Sequence, residues 1–257
     1  MPSNLRILLT NDDGIDAQGL AVLEHVARQL SDDVWVVAPA ANQSGAGHRF
    51  TLGHELSAEQ RGEKTFAITG TPADCAVVGC THFAADRMVD VVLSGVNHGQ
   101  NLGDIIHCSG TAAGAREGAL QGAIGIALSQ AVDYENEAPI DFAVAEAHAL
   151  DTIRAILDYA RPGDVYFNVN FPFGKPDEVS GTRVVPHERF SRSLFKHYPS
   201  RNEGKFYVTI PDTPGPNSQS ADFHALTYER AITVTPLSLR QYDLEAIAGF
   251  EQHLNGE

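Results

Sequence analysis

The hydrophobic positions along the chain fall mostly in short, unbroken runs. Seven runs predict strands, at residues 5–10, 34–38, 65–69, 89–94, 124–128, 165–171 and 231–234. An apolar run of this length without alternation is typical of a strand that is buried on both faces. The runs therefore predict a sheet that is covered by helices on both sides.

Helical patterns lie between most of these runs. We predict helices at residues 17–30, 72–83, from Thr111 onward, at 142–160 and at 239–254. The second opens with Pro72, which suits a first helical turn. The first has one apolar stripe, formed by Leu20, Leu23, Val26, Ala27 and Leu30. Strands alternating with helices predict an α/β fold: a Rossmann-like, doubly wound, mostly parallel sheet in a three-layer sandwich with right-handed crossovers.

Residues 174–222 break this alternation. The segment is rich in Pro, Ser, Arg and Asn, with short alternating pieces at 182–185 and 206–210. It predicts an extended hairpin or arm within a single domain of residues 1–257, and oligomerisation is the use we favour for it. The alternative is a surface loop that covers the sheet.

Charge and composition limit the possible partners. The formal net charge is −15 at pH 7, which disfavours long nucleic acid because the phosphate backbone would be repelled. No apolar stretch is long enough to span a bilayer, and the first residues lack the pattern of a signal peptide. The three cysteines are too few for a disulfide framework, so we expect free thiols and a cytoplasmic location.

Small polar residues and glycines follow three of the predicted strands. Asn11-Asp12-Asp13-Gly14 follows the first, Ser44-Gly45 the second, and a stretch from Gly95 to Thr111 the strand at 89–94. Ligands of open α/β sheets bind beyond the carboxyl ends of the strands. We therefore expect these loops to form one site.

The adjacent carboxylates Asp12 and Asp13 would repel each other unless they share a proton or hold a cation. Mg²⁺ prefers oxygen ligands, keeps several waters and needs only one or two carboxylates. Ser44 and Asn97 would supply neutral oxygens. The alternative is a simple turn, since Asp and Gly are common turn residues.

Ser109-Gly110-Thr111 immediately precedes an Ala-rich helix. A helix N-terminus presents unpaired N–H groups and about half a positive charge, which suits a phosphate group; the alternative is an ordinary N-cap. The motifs of P-loop NTPases, dinucleotide oxidoreductases and serine hydrolases are missing. His48, His98 and His107 lie in polar loops and are candidate acid, base or substrate contacts. Attack on phosphorus by a metal-activated water is the simplest chemistry that remains.

Several motifs together resemble the SurE family of metal-dependent 5′/3′-nucleotidases. They are Asn11-Asp12-Asp13-Gly14, residues 42–46 (NQSGA), 70–75 (GTPADC), 94–104 (SGVNHGQNLGD) and Ser109-Gly110-Thr111, and residues 168–172 (NVNFP) resemble a late strand of that family. The resemblance covers nearly the whole chain, and motifs in the same order are far more specific than any single one.

The resemblance implies a site and a cofactor. It implies one Mg²⁺ or Mn²⁺ per subunit, and catalytic roles for Asp12, Asp13 and Asn97. The metal ligands would be Asp12, Asp13, Ser44 and Asn97, and the substrate contacts Gly45, Asn101, Ser109, Gly110 and Thr111. It also implies nucleoside monophosphates as substrates and a homodimer or homotetramer assembled through the arm.

Two features depart from the family pattern. The residue before Ser109 is usually aromatic in the family but is Cys108 here, preceded by His107, so a base preference does not carry over. The arm is also weakly matched. Two other functions stay open: a metal- or nucleotide-binding module without catalysis, and a phosphatase for another small phosphate such as short polyphosphate.

Overall fold

The computed structural model describes residues 4–133, 139–190, 192–209 and 218–255. Eleven strands occur in these ranges: β1 Arg6–Thr10, β2 Asp33–Pro39, β3 Ala58–Gly62, β4 Thr65–Ile68, β5 Val91–His98, β6 Ile124–Gln130, β7 Val165–Phe171, β8 Thr182–Val184, β9 Lys196–Pro199, β10 Phe206–Thr209 and β11 Ile232–Ser238. The helices are α1 Gln18–Ala27, α2 Pro72–Val78, α3 Gly110–Leu120, α4 Ala143–Tyr159, α5 Asp222–Thr227 and α6 Leu244–Asn255.

Nine of the described strands form one sheet in the order β3-β4-β2-β1-β5-β6-β7-β11-β8. Six neighbouring strands of this sheet are parallel: β4, β2, β1, β5, β6 and β7. β3 runs antiparallel to β4, and β11 runs antiparallel to β7. The predicted α/β fold with a mostly parallel sheet is confirmed. None of the helices in the described ranges has the length and apolar character needed to cross a bilayer.

The sheet is buried between two helical layers, which explains the unbroken apolar runs. Ile7 and Leu9 of β1 pack in the cluster that contains α1 and α4. Leu8, between them, points to the opposite face and packs with Val37, Val92 and Cys75 of α2. Because successive side chains of a strand face opposite sides, both sets must be apolar.

The arm is smaller than the sequence predicted. β9 and β10 pair as an exposed antiparallel hairpin, which confirms an extended C-terminal hairpin. The piece predicted at 182–185, however, is β8, which joins the main sheet parallel to β11. Residue 191 and residues 210–217 of the predicted arm lie outside the described residues.

Other element boundaries also differ from the prediction. β5 extends to His98, so Asn97 lies on a strand and not in the predicted polar loop. The last helix begins at Leu244 and not at 239, and the helix predicted at 72–83 continues beyond α2 as a π-helical turn, Gly79–Phe83. The strands β3 and β9 and the helix α5 were not predicted; all five residues of β3 are exposed, so it has no apolar pattern.

Glycines let α3 lie directly on the sheet. A Cβ added at Gly118 would stand 2.4 Å from the Cβ of Val92, and one at Gly114 would stand 2.7 Å from Thr10 Cγ2. We expect Gly118→Ala to lower the free energy of unfolding by about 1–3 kcal/mol, because overpacking outweighs the better helix propensity of Ala.

Urea unfolding checks this prediction, with Gly249→Ala in α6 as the matched control. No atom lies within 4 Å of a Cβ at Gly249. The control should therefore be neutral or more stable by up to ~1 kcal/mol. Equal effects of the two substitutions would contradict the close packing of α3.

Candidate functional site

The loops after β1, β2 and β5 meet the N-terminus of α3 at one edge of the sheet. The Thr111 hydroxyl donates to Asp12 Oδ1 at 2.6 Å. The Gln43 N–H donates to the Asp12 carbonyl at 2.7 Å, and the His98 N–H donates to Asp13 Oδ2 at 2.9 Å. The structure thus brings together loops that are far apart in sequence, as the sequence analysis expected.

The segment Asn11-Asp12-Asp13-Gly14 is a turn closed by Asn11. The Asn11 amide donates to the Gly14 carbonyl at 2.8 Å, and its Oδ1 accepts from the Gly14 N–H at 3.2 Å. Gly14 has a φ of 107°, in the region that favours glycine. Because Asn11 closes the turn, the two aspartate side chains are available to the site. This segment can therefore form a turn and hold a cation at the same time, and the two interpretations of the sequence do not exclude each other.

Asp12 is the candidate ligand whose negative charge is most disfavoured by its surroundings. The residue is 4% exposed, and burial raises the pKa of its carboxyl to about 6, from 3.8. The hydrogen bond from Thr111 opposes this rise, while the charge of Asp13 adds to it. A buried carboxylate beside a second one gains from a bound cation, which offsets both the lost solvation and the repulsion.

The remaining candidate ligands are neutral oxygens. Ser44 is exposed next to Gln43, and its N–H donates to Asn42 Oδ1 at 2.8 Å. Asn97 donates its amide N–H to the Gly99 carbonyl at 2.7 Å, which leaves its Oδ1 without a donor from any described residue. In the described ranges no cluster of three or more His, Cys, Asp or Glu has the form of a metal site. A set of two carboxylates and two neutral oxygens fits Mg²⁺ or Mn²⁺, which keep several waters.

The start of α3 is an N-cap, and it also presents donors to the site. Ser109 Oγ accepts from the Ala112 N–H at 3.0 Å, so the predicted cap is present. The Thr111 side chain is fully buried, and both its hydroxyl and its backbone N–H face Asp12. No described residue accepts from the Gly110 N–H, and a Cβ at Gly110 would stand 2.7 Å from Asp12 Cβ. A phosphate contact at this position would therefore come from the backbone.

Asn101 is held on several sides. Its amide donates to Ser129 Oγ at 2.9 Å, and its N–H donates to Asn170 Oδ1 at 2.8 Å. Its carbonyl accepts from the amides of Asn168 and Asn170 at 2.8 and 3.1 Å. We did not assign Ser129, Asn168 or Asn170 to the site from the sequence. The available signal was a pair of asparagines two positions apart on a strand that is otherwise apolar.

The other candidates lie at the periphery. Gly45 has a φ of 77°, and apart from its chain neighbours no atom lies within 4 Å of a Cβ there, so the space beside it is open. His48 pairs with Glu117 at 2.9 Å, whereas His98 and His107 are exposed. The Cys108 carbonyl accepts from the Gly47 N–H at 3.0 Å, which ties the loop after β2 to the residue before Ser109.

A cleft of about 270 Å³ opens beside Ser109. Its lining includes His107, His187, Arg116 and Arg240. Arg240 forms an ion pair with Asp164 at 2.6 Å. Arg116 places a positive charge in this cleft, whereas the charge of Arg240 is balanced by Asp164, and Asp104 also lines the cleft.

Comparisons with known proteins cover most of the chain. The family model described as survival protein SurE matches residues 7–194, which include all of the candidate metal ligands and substrate contacts. A 5'-nucleotidase SurE of Brucella anthropi is 44% identical over 240 residues, which is 91% of this chain and 92% of that protein. A relative of the same name from Rhodospirillum rubrum is 43% identical over 248 residues, 95% of this chain and 94% of that protein. The crystal structure of the SurE protein from Aquifex aeolicus has a TM-score of 0.84 and 28% identity, covering 97% of this chain and 99% of that one.

The raised pKa of Asp12 predicts a pH-dependent stability of the metal-free protein. The folded-state pKa, about 6, lies above the ordinary value of 3.8, so the folded state binds more protons between these pH values. Its stability therefore falls as pH rises through this window. Metal-free Asp12→Asn should be more stable than the wild type at pH 8 by about 3 kcal/mol, and the difference should disappear toward pH 4.

Urea unfolding of EDTA-treated protein from pH 4 to pH 8 measures this difference. Asp16→Asn, at an exposed position, serves as the matched control, and its free energy of unfolding should equal that of the wild type at each pH. A gain in Asp12→Asn that is independent of pH would show that the carboxyl is not destabilised by burial.

Proposed function

Because the chain belongs to the SurE family, we propose that it is a nucleotidase that removes phosphate from nucleoside 5′- and 3′-monophosphates with the help of a divalent cation. The observation that carries the proposal is the buried Asp12, paired with Asp13 and placed against the start of α3. This arrangement combines an excess of negative charge with donors for a phosphate, which is the pattern that metal-assisted phosphate chemistry needs.

Asp12, Asp13, Ser44 and Asn97 would hold one Mg²⁺ or Mn²⁺ per subunit. When bound, this cation would activate a water for attack on phosphorus and would neutralise charge on the phosphate oxygens. Thr111 orients the Asp12 carboxylate by donating to it at 2.6 Å. The His98 N–H fixes one oxygen of Asp13.

The phosphate group would lie between the Gly110 N–H and Asn101. The positive end of the α3 dipole favours the phosphate and the charge that develops during the reaction. Asn101 is held in place by Ser129, Asn168 and Asn170. Its conformational freedom is therefore already lost when the chain folds, and substrate binding does not have to restrict it further. Arg116 in the adjoining cleft favours the approach of an anionic substrate.

We test this function by measuring inorganic phosphate release from a panel of nucleoside 5′- and 3′-monophosphates. Release should require Mg²⁺ or Mn²⁺ and stop with excess EDTA. Asp13→Asn should lower kcat by about 100-fold or more, since it removes one of two carboxylates that hold the cation. Asp16→Asn, an exposed neighbour, should retain wild-type turnover.

Two results would point to the other functions. Nucleotide binding without phosphate release would favour a module that does not hydrolyse its ligand. Release from short polyphosphate or sugar phosphates, but not from nucleotides, would favour a phosphatase of different specificity. Full metal-dependent activity in Asp13→Asn would contradict the assigned ligands.

We also propose that the chain forms a homodimer or homotetramer and works in the cytoplasm. Assembly is supported by α6, whose residues are all exposed although Leu244, Ile247, Phe250 and Leu254 form one apolar stripe. The β9–β10 hairpin is likewise exposed, including the apolar residues Phe206, Tyr207 and Val208. Contiguous exposed apolar surface of this kind is typical of an interface. The cytoplasmic location is supported by three unpaired cysteines.

The stripe on α6 predicts that Phe250→Asp lowers the molar mass in solution. The introduced charge would be buried in the interface without a partner. Light scattering coupled to size exclusion measures the mass at several protein concentrations. Gln252→Asp adds the same charge on the opposite face of α6 and should leave the mass unchanged. Wild-type protein that is monomeric at every concentration would contradict the assembly.

A further inference from the structure

The segment Asn101–Asp104 lies between the sheet and the base of the arm, which comprises residues 186–190 and 218–223. On the sheet side, Asn168 and Asn170 bind the backbone of Asn101. On the other side, the Gly103 N–H donates to Asp222 Oδ2 at 2.9 Å. The loop is therefore held by hydrogen bonds from both sides.

Asp222 connects three parts of the chain through a single carboxylate. Besides Gly103, it accepts from the Glu188 N–H at 2.7 Å and from the Phe223 N–H at 2.8 Å. Its own N–H donates to the Pro186 carbonyl at 2.9 Å. The residue is 0% exposed. Because the carboxylate is buried, these N–H groups take the place of water as its hydrogen-bond donors.

The contact between the loop and the arm base leaves little room for adjustment. Gly103 has a φ of 54°, and a Cβ there would stand 2.6 Å from the Glu188 carbonyl oxygen and 3.0 Å from the Phe190 ring. A second hydrogen bond, from the Phe190 N–H to Asp104 Oδ2 at 3.0 Å, joins the same two segments. The loop is thus pressed against residues 188–190 and cannot shift independently of them.

We infer that Asp222 is a positioning residue for the phosphate-binding loop: through Gly103 it sets where Asn101 stands, and thereby the affinity for the phosphate group. The inference rests on the proposed function of Asn101. Gly103 is two positions from Asn101 but six positions from Asn97, the proposed metal ligand on β5. Loss of the Asp222 contact should therefore weaken phosphate binding and leave cation affinity unchanged.

Two substitutions disturb this contact from opposite sides. Asp222→Asn replaces one acceptor oxygen by an NH₂ group that faces a backbone N–H. Gly103→Ala places a Cβ against the Glu188 carbonyl. We expect each to raise KM for a nucleoside monophosphate, and the inhibition constant of inorganic phosphate, by about tenfold. The Mg²⁺ concentration for half-maximal activity should stay within about twofold of wild type in both variants.

The matched control is Asp33→Asn at the opposite edge of the sheet. Asp33 is also a largely buried carboxylate, and it accepts from Arg6 and Lys64 at 2.7 Å each. Its replacement should lower Tm without changing KM. A role of Asp222 in folding alone would resemble this control, with a lower Tm, a smaller active fraction and an unchanged KM.

The possible outcomes decide the inference. An unchanged KM in Gly103→Ala and in folded Asp222→Asn overturns it, and so does an equal rise of KM in Asp33→Asn. If Asp222→Asn does not fold, Gly103→Ala alone decides. If the wild type hydrolyses no nucleotide, the proposed function fails. The positioning role is then judged by calorimetric binding of inorganic phosphate with Mg²⁺, where the same tenfold loss supports it and unchanged affinity overturns it.

Discussion

The burial of the Asp12 carboxylate is the constraint on which the rest of the site depends. A charge with so little exposed surface destabilises the fold unless donors or an opposite charge face it. The hydroxyl and the backbone N–H of Thr111 donate hydrogen bonds to this carboxylate. The Asp12 carbonyl accepts from the Gln43 N–H and so holds the loop after β2. The loops that carry the candidate ligands are therefore connected to the residue whose charge most needs a cation.

The packing of α3 determines how close its N-terminus comes to this carboxylate. Gly110, Gly114 and Gly118 are spaced by four residues and share one face of the helix. Each faces a neighbour that a Cβ would strike: Asp12, the Thr10 and Ser94 side chains, and Val92. The distance between the helix dipole and Asp12 is thus set by helix-on-sheet packing along the whole length of α3, and not by the loop alone.

Much of the fold, and the meeting of the loops after β1, β2 and β5, could be predicted from the sequence. The buried strands were predicted because β1, for example, must be apolar on both faces, and Asp12 and Asn97 were expected together because parallel strands end at the same edge. β3 was missed because its exposed residues carry no pattern, and β5 was predicted too short because polar Asn97 and His98 continue the strand. Asn170 and Asp222 were not assigned to the site because they act on residues 69 and 119 positions away. Local patterns carry no information about such pairs.

The base of the arm has a consequence for how the chain tolerates change. The Ser218 N–H donates to Glu188 Oε2 at 3.2 Å, and Asp222 binds the Glu188 N–H, so the chain on the two sides of residues 189–217 is joined at one point. A segment closed at its root behaves as a separate module, because insertions or deletions beyond the closure do not alter the spacing of its ends. Changes in the length or composition of this segment therefore do not have to alter the geometry around Asp12.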